Sequence, residues 1–302
     1  MAQKNKKAVK QTKSNAPYIR GFWILFFGSF GVLILIFLLA SWGVFGSLPT
    51  FDELENPESN LATEILSSDG KTLGKFYNEN RTPVKYNDLP QNLVDAVVAT
   101  EDRRFYDHSG IDLRGTMRAV AYMGSKGGAS TVTQQLAKLL FSDTPSNTLE
   151  RLVQKVKEWI IATRLERQYT KEEIITMYLN KQDFLFQAVG IRSASKIYFD
   201  KEPIELRPEE SAVIAAMLKN PRQFNPHREI SKDNALERRN TVLALMAETG
   251  KITNVERDSL MAMPMKINFS PEGHADGIAT YFREYLRAFM ADWIKNNPKG
   301  KD

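Results

Sequence analysis

Residues 90–112 read PQNLVDAVVATEDRRFYDHSGID, a helical pattern followed at once by a cluster of acidic, basic and histidine side chains. Four apolar residues recur at helical spacing, which predicts one buried helix face: Leu93, Val94, Val97 and Val98. Pro90 suits the first position of such a helix, because proline has no N–H to leave unsatisfied there. Glu101 comes four residues after one valine of this face and seven after another, so it extends the apolar stripe.

Glu101 is therefore a candidate catalytic carboxylate. A carboxylate at the rim of an apolar face loses hydration and becomes a stronger base, which suits proton abstraction. An ordinary helix-end acid, paired with Arg103 or Arg104, explains the same pattern. Taken alone, the stretch favours the ion pair.

The rest of the chain is also mainly helical in pattern. Ala62–Ser67 and Lys71–Asn78 flank Ser68-Asp69-Gly70, which predicts a small β-hairpin before the first helix. Capping signals, prolines and terminal glycines then delimit further helices: Thr148–Gln168, Ile174–Leu179, Glu209–Leu218, Asp233–Thr249 and Ile278–Asn296. The predicted fold class is mainly α, with a β-hairpin at its entrance.

The positive charge of the chain lies in its N-terminal tail. Six basic residues precede position 21, and no acidic residue occurs before Asp52. Removing these six from the 41 basic residues leaves 35 against 36 acidic ones, so the remainder is nearly neutral and no nucleic acid partner is expected. The absence of cysteine excludes disulfides, thiol catalysis and Cys-ligated zinc.

Gly21–Gly46 is an uncharged apolar stretch of 26 residues with Trp23 and Trp42 near its ends. A spanning helix needs roughly 20 such residues, whereas the apolar core of a cleaved signal peptide has about 7–15. We expect an uncleaved, single-pass anchor in the cytoplasmic membrane. The positive-inside rule places residues 1–20 in the cytoplasm and the domain after the anchor on the outer, periplasmic face.

A second segment, Lys126–Leu140, reads KGGASTVTQQLAKLL. A glycine-rich turn that leads into a helix N-terminus presents free N–H groups, which suits a phosphate, and Lys138 could add a cation. A flexible turn with a Ser or Thr cap explains the stretch equally well.

A third segment places Arg151, Lys155 and Glu158 on one helix face, at spacings of four and three residues. They could form a pyrophosphate clamp with a second carboxylate, although spacing alone favours a solvated face of ion pairs. The three histidines of the chain are too scattered for a His-x-x-x-His metal site.

The order of these segments resembles the peptidoglycan glycosyltransferase domain (glycosyltransferase family 51) of class A penicillin-binding proteins and the monofunctional transglycosylases. Five motifs carry the resemblance: Glu101-Asp102-x-x-Phe105-x-x-His108-x-Gly110, Gly128-Ala-Ser130-Thr131-Val-Thr133-Gln134-Gln135-Leu136-x-Lys138, Gln154-Lys155-x-x-Glu158, Tyr178-Leu179-Asn180 with Gly190 and Tyr198-Phe199, and Ala212–Pro226. The third motif departs from the family, since Gln154 stands where an arginine is usual. Arg151, nearly one turn earlier, is the candidate replacement.

The resemblance implies a lysozyme-like, two-lobed, mainly α-helical domain behind one transmembrane helix. The expected organisation is a cytoplasmic tail (1–20), the transmembrane helix (21–46), a linker (47–61), the glycosyltransferase domain (62–250) and a C-terminal helical linker (251–302). We expect that linker to be cut before a transpeptidase domain.

The resemblance further implies that lipid II and the growing glycan strand are the substrates, with cell-wall synthesis proteins as possible partners. Glu101 would be the base and Glu158 the second catalytic carboxylate, which would help either through a divalent metal ion such as Mg²⁺ or by holding the cations Lys138 and Lys155. Eleven further residues would contact substrate: Asp102, Phe105, His108, Ser130, Thr131, Thr133, Gln134, Gln135, Lys138, Arg151 and Lys155.

Two other functions fit parts of the pattern. A lysozyme-like hydrolase that cleaves glycan also needs two carboxylates, and a membrane scaffold needs none. In either inverting enzyme, Glu101 and Glu158 should lie well beyond the roughly 5–5.5 Å of retaining hydrolases. The anchor and the basic residues near the second acid favour transfer from a lipid pyrophosphate.

Overall fold

The computed structural model describes residues 15–44, 48, 63–66, 68, 72–76, 83–122, 128–141, 145, 147–270 and 280–296, and these confirm the mainly α-helical class. The chain divides into two compact units. The first is Met1–Leu48 with Pro145–Lys157, and the second is Pro49–Thr144 with Glu158–Asp302.

The first unit contains helix α1, Ala16–Ser41, which is long and apolar enough to cross a membrane. Its mean hydropathy reaches 2.7, and 26 residues at 1.5 Å per residue exceed a hydrocarbon core of about 30 Å. Relative to the predicted apolar stretch Gly21–Gly46, both ends of the helix are shifted by about one turn towards the N-terminus. The earlier start includes Pro17, which is tolerated in the first turn of a helix. A turn with Gly43 at φ 77° follows Ser41, and Gly46 lies outside the described residues.

The second unit opens with the predicted hairpin. Strands β1 (Thr63–Leu66) and β2 (Thr72–Phe76) pair antiparallel, with Thr63 opposite Phe76 and a register shift between Ile65 and Leu66. Asp69 and Gly70, the predicted turn residues, lie outside the described residues.

Among the described residues, ten helices follow: α2 (Gln91–Glu101), α3 (Leu113–Ala121), α4 (Val132–Phe141), α5 (Thr148–Gln168), α6 (Lys171–Lys181), α7 (Ile191–Phe199), α8 (Pro208–Lys219), α9 (Glu229–Glu248), α10 (Asn254–Ala262) and α11 (Thr280–Asn296). Helix α5 has the predicted bounds; its first ten residues belong to the first unit. Short 3-10 turns occur at Tyr86–Asp88, Phe105–Asp107 and Pro203–Glu205.

The caps at several helix ends explain where the chain turns. Thr170 accepts a hydrogen bond from the Glu173 N–H and donates its own N–H to the Glu173 carboxylate, which confirms the predicted capping box. A second box joins Thr253 and Glu256. Pro90 is the N-cap of α2, with φ −75° and ψ 145°, and the helix begins at Gln91. The prediction of Pro90 as the first helical residue was therefore wrong by one position.

The core of the second unit fixes helix α2. Its predicted apolar face is buried, with Leu93 and Val97 fully inaccessible, and it packs against α8 and α9. Each buried Leu or Val side chain contributes about 1.5–3 kcal/mol. Because this face is anchored by helices far along the chain, the C-terminal end of α2 has a defined place in the unit.

The fourth motif has structural contacts. Asn180 accepts a hydrogen bond from the Val84 N–H at 3.1 Å and donates to the Val84 carbonyl at 2.9 Å, which fixes the segment before α2. Gly190 has φ 86°, and a Cβ there would lie 2.9 Å from the Asn180 carbonyl oxygen. Between them, three consecutive non-glycine residues, Leu185, Phe186 and Gln187, have left-handed backbone at φ 69°, 52° and 63°.

Candidate active site

Glu101 is the last residue of α2 and is half-buried. Its Oε2 accepts a hydrogen bond from Gln135 Nε2 at 3.0 Å, and no donor to Oε1 occurs among the described residues. The Tyr178 hydroxyl donates to Gln135 Oε1, also at 3.0 Å. The structure thus brings a residue of the first motif together with one from the second and one from the fourth.

Asp102 is buried and holds two structural elements together. Its carboxylate lies 3.0 Å from His108 Nε2 and accepts the Val132 N–H, the first of α4, at 3.0 Å. Because Nε2 faces both carboxylate oxygens, it is the protonated ring nitrogen of His108. A carboxylate at a helix N-terminus also interacts favourably with the helix dipole. The adjacent acids of the first motif therefore differ in role, since only Glu101 has an unengaged oxygen.

Gly110 is the point at which the first two motifs meet. Its carbonyl oxygen accepts hydrogen bonds from Thr131 Oγ1 at 2.7 Å and Gln134 Nε2 at 3.1 Å. Gly110 has φ 87°, and a Cβ there would lie 2.9 Å from the Ala162 carbonyl oxygen. Only glycine fits this position without strain.

Several predicted substrate-binding side chains are buried and bond within the protein. Thr133 Oγ1 donates to Glu166, which also accepts from Lys171 Nζ at 2.8 Å. Lys171 donates to the His108 carbonyl at 2.6 Å and lies 4.5 Å above the Phe105 ring centroid. Phe105 and Thr133 are fully inaccessible to solvent. These residues therefore support the site through contacts within the core.

Glu101 lies on a cavity of about 650 Å³. The loop before α4 supplies one wall through Gly128, Ala129, Ser130 and Thr131, and Ser130 is exposed there. The remaining lining comes from the end of α2, the first-motif loop, and helices α3, α4, α8 and α9: Thr100, Asp102, Arg103, Arg104, Asp112, Gly115, Arg118, Gln135, Lys219, Arg238 and Leu245.

Two of the cavity cations are neutralised by carboxylates. Arg103 pairs with Glu248 at 2.7 Å, and Arg104 pairs with Asp112. Burial raises the pKa of Asp112, but the Arg104 hydrogen bonds and the Gly115 N–H outweigh it, so the pKa lies below its ordinary value. Asp112 is therefore ionised, and Arg104 is largely compensated.

The other three cavity cations are Arg118, Lys219 and Arg238, and no carboxylate among the described residues pairs with them. Lys219 Nζ and the Arg238 guanidinium carbon lie 5.7 and 5.9 Å from the Phe224 ring centroid. Arg238 Nε is buried without a hydrogen-bond partner in the described structure. None of these three cations was predicted from the sequence as a site residue. The position of Lys219 directly before Asn220-Pro221 of the fifth motif was the available signal.

Two further predicted site residues of the second unit, Lys138 and Glu158, do not line this cavity. Lys138 is exposed on α4, and Glu158 is buried on α5. Arg151 and Lys155 lie on the part of α5 that belongs to the first unit. Their roles stay predictions.

No group of three or more His, Cys, Asp or Glu side chains in the described part of the chain is arranged to hold a metal ion. Asp102 is engaged by His108 and Val132, and Glu101 by Gln135. These side chains do not form a metal site by themselves, and the predicted divalent ion stays a prediction.

Known proteins share this part of the sequence. A model of the transglycosylase family, described as "Transglycosylase", matches residues 69–247. Penicillin-binding protein 1A of Escherichia coli (strain K12) is 38% identical over 250 residues, which cover 80% of this chain and 28% of that protein. Penicillin-binding protein 1F of Bacillus subtilis (strain 168) is 41% identical over 201 residues, covering 65% and 27%.

A further relative is penicillin-binding protein 1A of Aquifex aeolicus (strain VF5), which is 35% identical over 273 residues, covering 88% of this chain and 36% of that protein. The chain thus spans about a quarter to a third of the length of these relatives.

Proposed function

Because the chain belongs to the transglycosylase family, we propose that it is a peptidoglycan glycosyltransferase that polymerises lipid II into glycan strands for the bacterial cell wall. One observation carries the proposal beyond family membership. A single cavity contains Glu101, with one carboxylate oxygen held by Gln135, and three cations that pair with no carboxylate in the described part of the chain. A base beside uncompensated positive charge suits transfer of a sugar from a diphosphate leaving group.

In the proposed reaction, Glu101 removes the proton from the 4-hydroxyl of the acceptor GlcNAc. That oxygen forms a bond to C1 of the MurNAc of the growing chain, on the face opposite the leaving group. The bond from C1 to the diphosphate oxygen breaks, its electron pair leaves on undecaprenyl pyrophosphate, and the configuration at C1 inverts. The oxygen of Glu101 that Gln135 does not engage is the one available to accept the proton.

The cations have a distinct task. Arg118, Lys219 and Arg238 offer positive charge to the diphosphate of a lipid-linked sugar, and charge-assisted hydrogen bonds to phosphate are strong. Lys138 and Lys155 remain proposed partners of the departing pyrophosphate, with Glu158 helping through a divalent metal ion or by holding the cations. Arg151 is the proposed replacement for the arginine that Gln154 lacks.

A glycan-cleaving hydrolase accounts for this cavity less well. Hydrolysis of a glycosidic bond between sugars produces no diphosphate, so the three cations that lack a carboxylate partner among the described residues would have no charge to stabilise. The transferase is therefore the better candidate.

We place the enzyme in the cytoplasmic membrane through α1, with the catalytic domain on the outer, periplasmic face. The support is the apolar length of α1 and the six basic residues before position 21, which the positive-inside rule assigns to the cytoplasm. The growing glycan strand and other cell-wall synthesis proteins are the proposed partners.

Incubation of the full chain with lipid II in detergent micelles tests the function. We expect long glycan and released undecaprenyl pyrophosphate from the wild type, and a loss of about 10²–10⁴-fold in Glu101→Gln, the range for a general base. Glu229→Gln is the matched control, because that carboxylate is 90% exposed at the start of α9. Thermal melts check folding. Shortened glycan instead of polymer, or full activity in Glu101→Gln, contradicts the proposal.

A further inference from the structure

A continuous chain of hydrogen bonds runs from a buried phenol to the carboxylate of Glu101. Tyr178, on α6, is fully inaccessible to solvent, and its hydroxyl reaches Gln135 on α4. Gln135 then reaches Glu101 at the end of α2. Helices α4 and α6 pack directly against each other, so the distance between the first two side chains is set by the core.

The Tyr178 hydroxyl is a permanent donor. Burial raises the pKa of Tyr178 well above its ordinary value, the negative charge of Glu101 raises it further, and a hydrogen bond with Gln182 offsets only part of the shift. The phenol therefore keeps its proton throughout the physiological pH range. The Tyr178 hydroxyl therefore stays the donor and Gln135 Oε1 the acceptor over this pH range.

A primary amide presents either a donor or an acceptor to its neighbour, depending on how the group is rotated. With Oε1 occupied by the Tyr178 hydroxyl, Gln135 can turn only its N–H₂ towards Glu101. The rotated amide would place its oxygen against the carboxylate, and two acceptors repel each other. Tyr178 and the Glu101 carboxylate thus select the same orientation of the Gln135 amide, and the phenol holds the amide there.

Glu101 needs such a donor because of its place in the helix. It is the final residue of α2, where the helix dipole is negative and disfavours a carboxylate. The Gln135 amide supplies the compensating donor, and by holding Oε2 it orients Oε1. Both effects depend on the amide staying in one orientation.

We propose that Tyr178 is a positioning residue for the proposed catalytic base, acting through Gln135 to hold the Glu101 carboxylate in one orientation with Oε1 aimed into the cavity. The proposal rests on the proposed function only for the role of Glu101 as a base. Tyr178 does not line the cavity, so it acts without touching substrate.

Tyr178→Phe removes the hydroxyl and keeps the ring that fills the core. We expect kcat to fall about tenfold with little change in KM, since one hydrogen bond that controls a charged group is lost and no residue lining the cavity is altered. The carboxylate is less stabilised when the amide can rotate, so it takes up a proton at higher pH. The acid limb of the pH–rate profile should move upward by about one pH unit.

Tyr198→Phe is the matched control. Tyr198 is also fully buried, and its hydroxyl donates to the Phe184 carbonyl and accepts from Asn225 outside the base network. We expect that variant to lower the melting temperature and leave the acid limb in place. Both variants keep all the charged side chains of the cavity: Glu101, Asp102, Arg103, Arg104, Asp112, Arg118, Lys219 and Arg238.

A double-mutant cycle tests whether Tyr178 acts through Gln135. In a Gln135→Leu background, Tyr178→Phe should produce no further shift of the acid limb, because the amide that transmits its effect is gone. A full additional shift in that background would overturn the proposed route.

A titration that does not need activity separates this proposal from the function. The Glu101 carboxyl ¹³C signal, assigned by its absence in Glu101→Gln, is followed against pH in full-length wild type, Tyr178→Phe and Tyr198→Phe. A midpoint at higher pH in Tyr178→Phe alone supports the proposal even if the wild type does not polymerise lipid II, an outcome that would contradict only the proposed function. Equal midpoints in all three proteins overturn the role of Tyr178.

Discussion

The Asp102 carboxylate lies 3.0 Å from His108 Nε2 and at the same time accepts the first N–H of helix α4. Both side chains are nearly inaccessible, at 4% and 8% exposure. The acid next to the proposed base therefore joins the first-motif loop to the helix that supplies Gln135.

Asp102→Asn should lower the free energy of unfolding by about 2–3 kcal/mol, because charge-assisted hydrogen bonds in a buried site are weakened. Urea denaturation monitored by circular dichroism gives the value. Asp107→Asn is the control, since Asp107 is exposed in the same loop and should change stability by less than about 0.5 kcal/mol. Equal effects in the two variants would show that the Asp102–His108 pair contributes nothing special.

Replacing Gly110 or Gly250 by alanine distinguishes the free-energy cost of a left-handed backbone from that of a steric clash of the added Cβ. Both have left-handed backbone, at φ 87° and 73°, but a Cβ meets the Ala162 carbonyl at Gly110 and nothing within 4 Å at Gly250. Gly250→Ala should therefore lose only about 1–2 kcal/mol for the backbone conformation. Gly110→Ala should lower the free energy of unfolding by more than this. The rate of polymerisation should fall as well, because Thr131 and Gln134 donate hydrogen bonds to the Gly110 carbonyl, which the substitution would displace. Chemical denaturation measures the free energy of unfolding of both variants. Similar losses would show that the clash with the Ala162 carbonyl at Gly110 does not contribute.

Arg238 and Arg103 line the same cavity but differ in compensation. Arg103 is paired with Glu248, whereas Arg238 has no described carboxylate partner. Arg238→Gln should lower kcat/KM for lipid II by about tenfold or more, as expected for the loss of a charge-assisted contact to phosphate. Arg103→Gln should change it by less than about threefold, since exposed ion pairs contribute little. Steady-state polymerisation rates give kcat/KM for the two variants. A larger loss in Arg103→Gln than in Arg238→Gln would contradict the assignment of Arg238 to the proposed diphosphate site.

Glu210 predicts a defined pH dependence of stability. Burial raises the pKa of Glu210. Hydrogen bonds from the Arg207 N–H, from Lys201 and from the Arg207 side chain lower it, as does the positive charge of Lys201. Together these outweigh burial and hold the pKa below its ordinary value. The folded state therefore favours the carboxylate, and the unfolded state binds more protons near pH 4. The stabilisation is full above the unfolded pKa of about 4.3 and is lost as the pH falls through the folded pKa.

Unfolding of wild type and Glu210→Gln across pH 3–7 checks this dependence. The variant should be less stable by about 2 kcal/mol at pH 7, and the difference should shrink below about pH 4.5. A difference that stays constant with pH would assign the loss to packing alone. Glu229→Gln, at an exposed site, should show neither effect.

The parts of the fold that could be predicted from the sequence are those with local causes. The capping boxes at Thr170 and Thr253 join residues three apart, and the buried face of α2 follows from spacing within eleven residues. By contrast, the left-handed turn at Leu185–Gln187 contains no glycine, so its sequence does not indicate positive φ angles. Its conformation depends on contacts such as that of Tyr198 with the Phe184 carbonyl.

The candidate site was predictable only in part for the same reason. Glu101, Ser130 and Gln135 were identified through motifs, and the structure places them on one cavity. Arg238 lies outside every motif and faces the cavity because α9 packs against α2. The contact of Gln135 with Glu101 joins residues 34 apart, which spacing along one helix cannot indicate.

The packing of α2 against α8 and α9 has a consequence for the order of events during synthesis. Glu101 leaves the ribosome early, but the surfaces that fix its helix extend to Glu248, which is 147 residues later. At about 5–20 residues per second, that interval lasts roughly 7–30 s. During this time Glu101 has neither its supporting helices nor Lys219 and Arg238 beside it. A nascent chain therefore lacks the assembled candidate site until most of the domain has been synthesised.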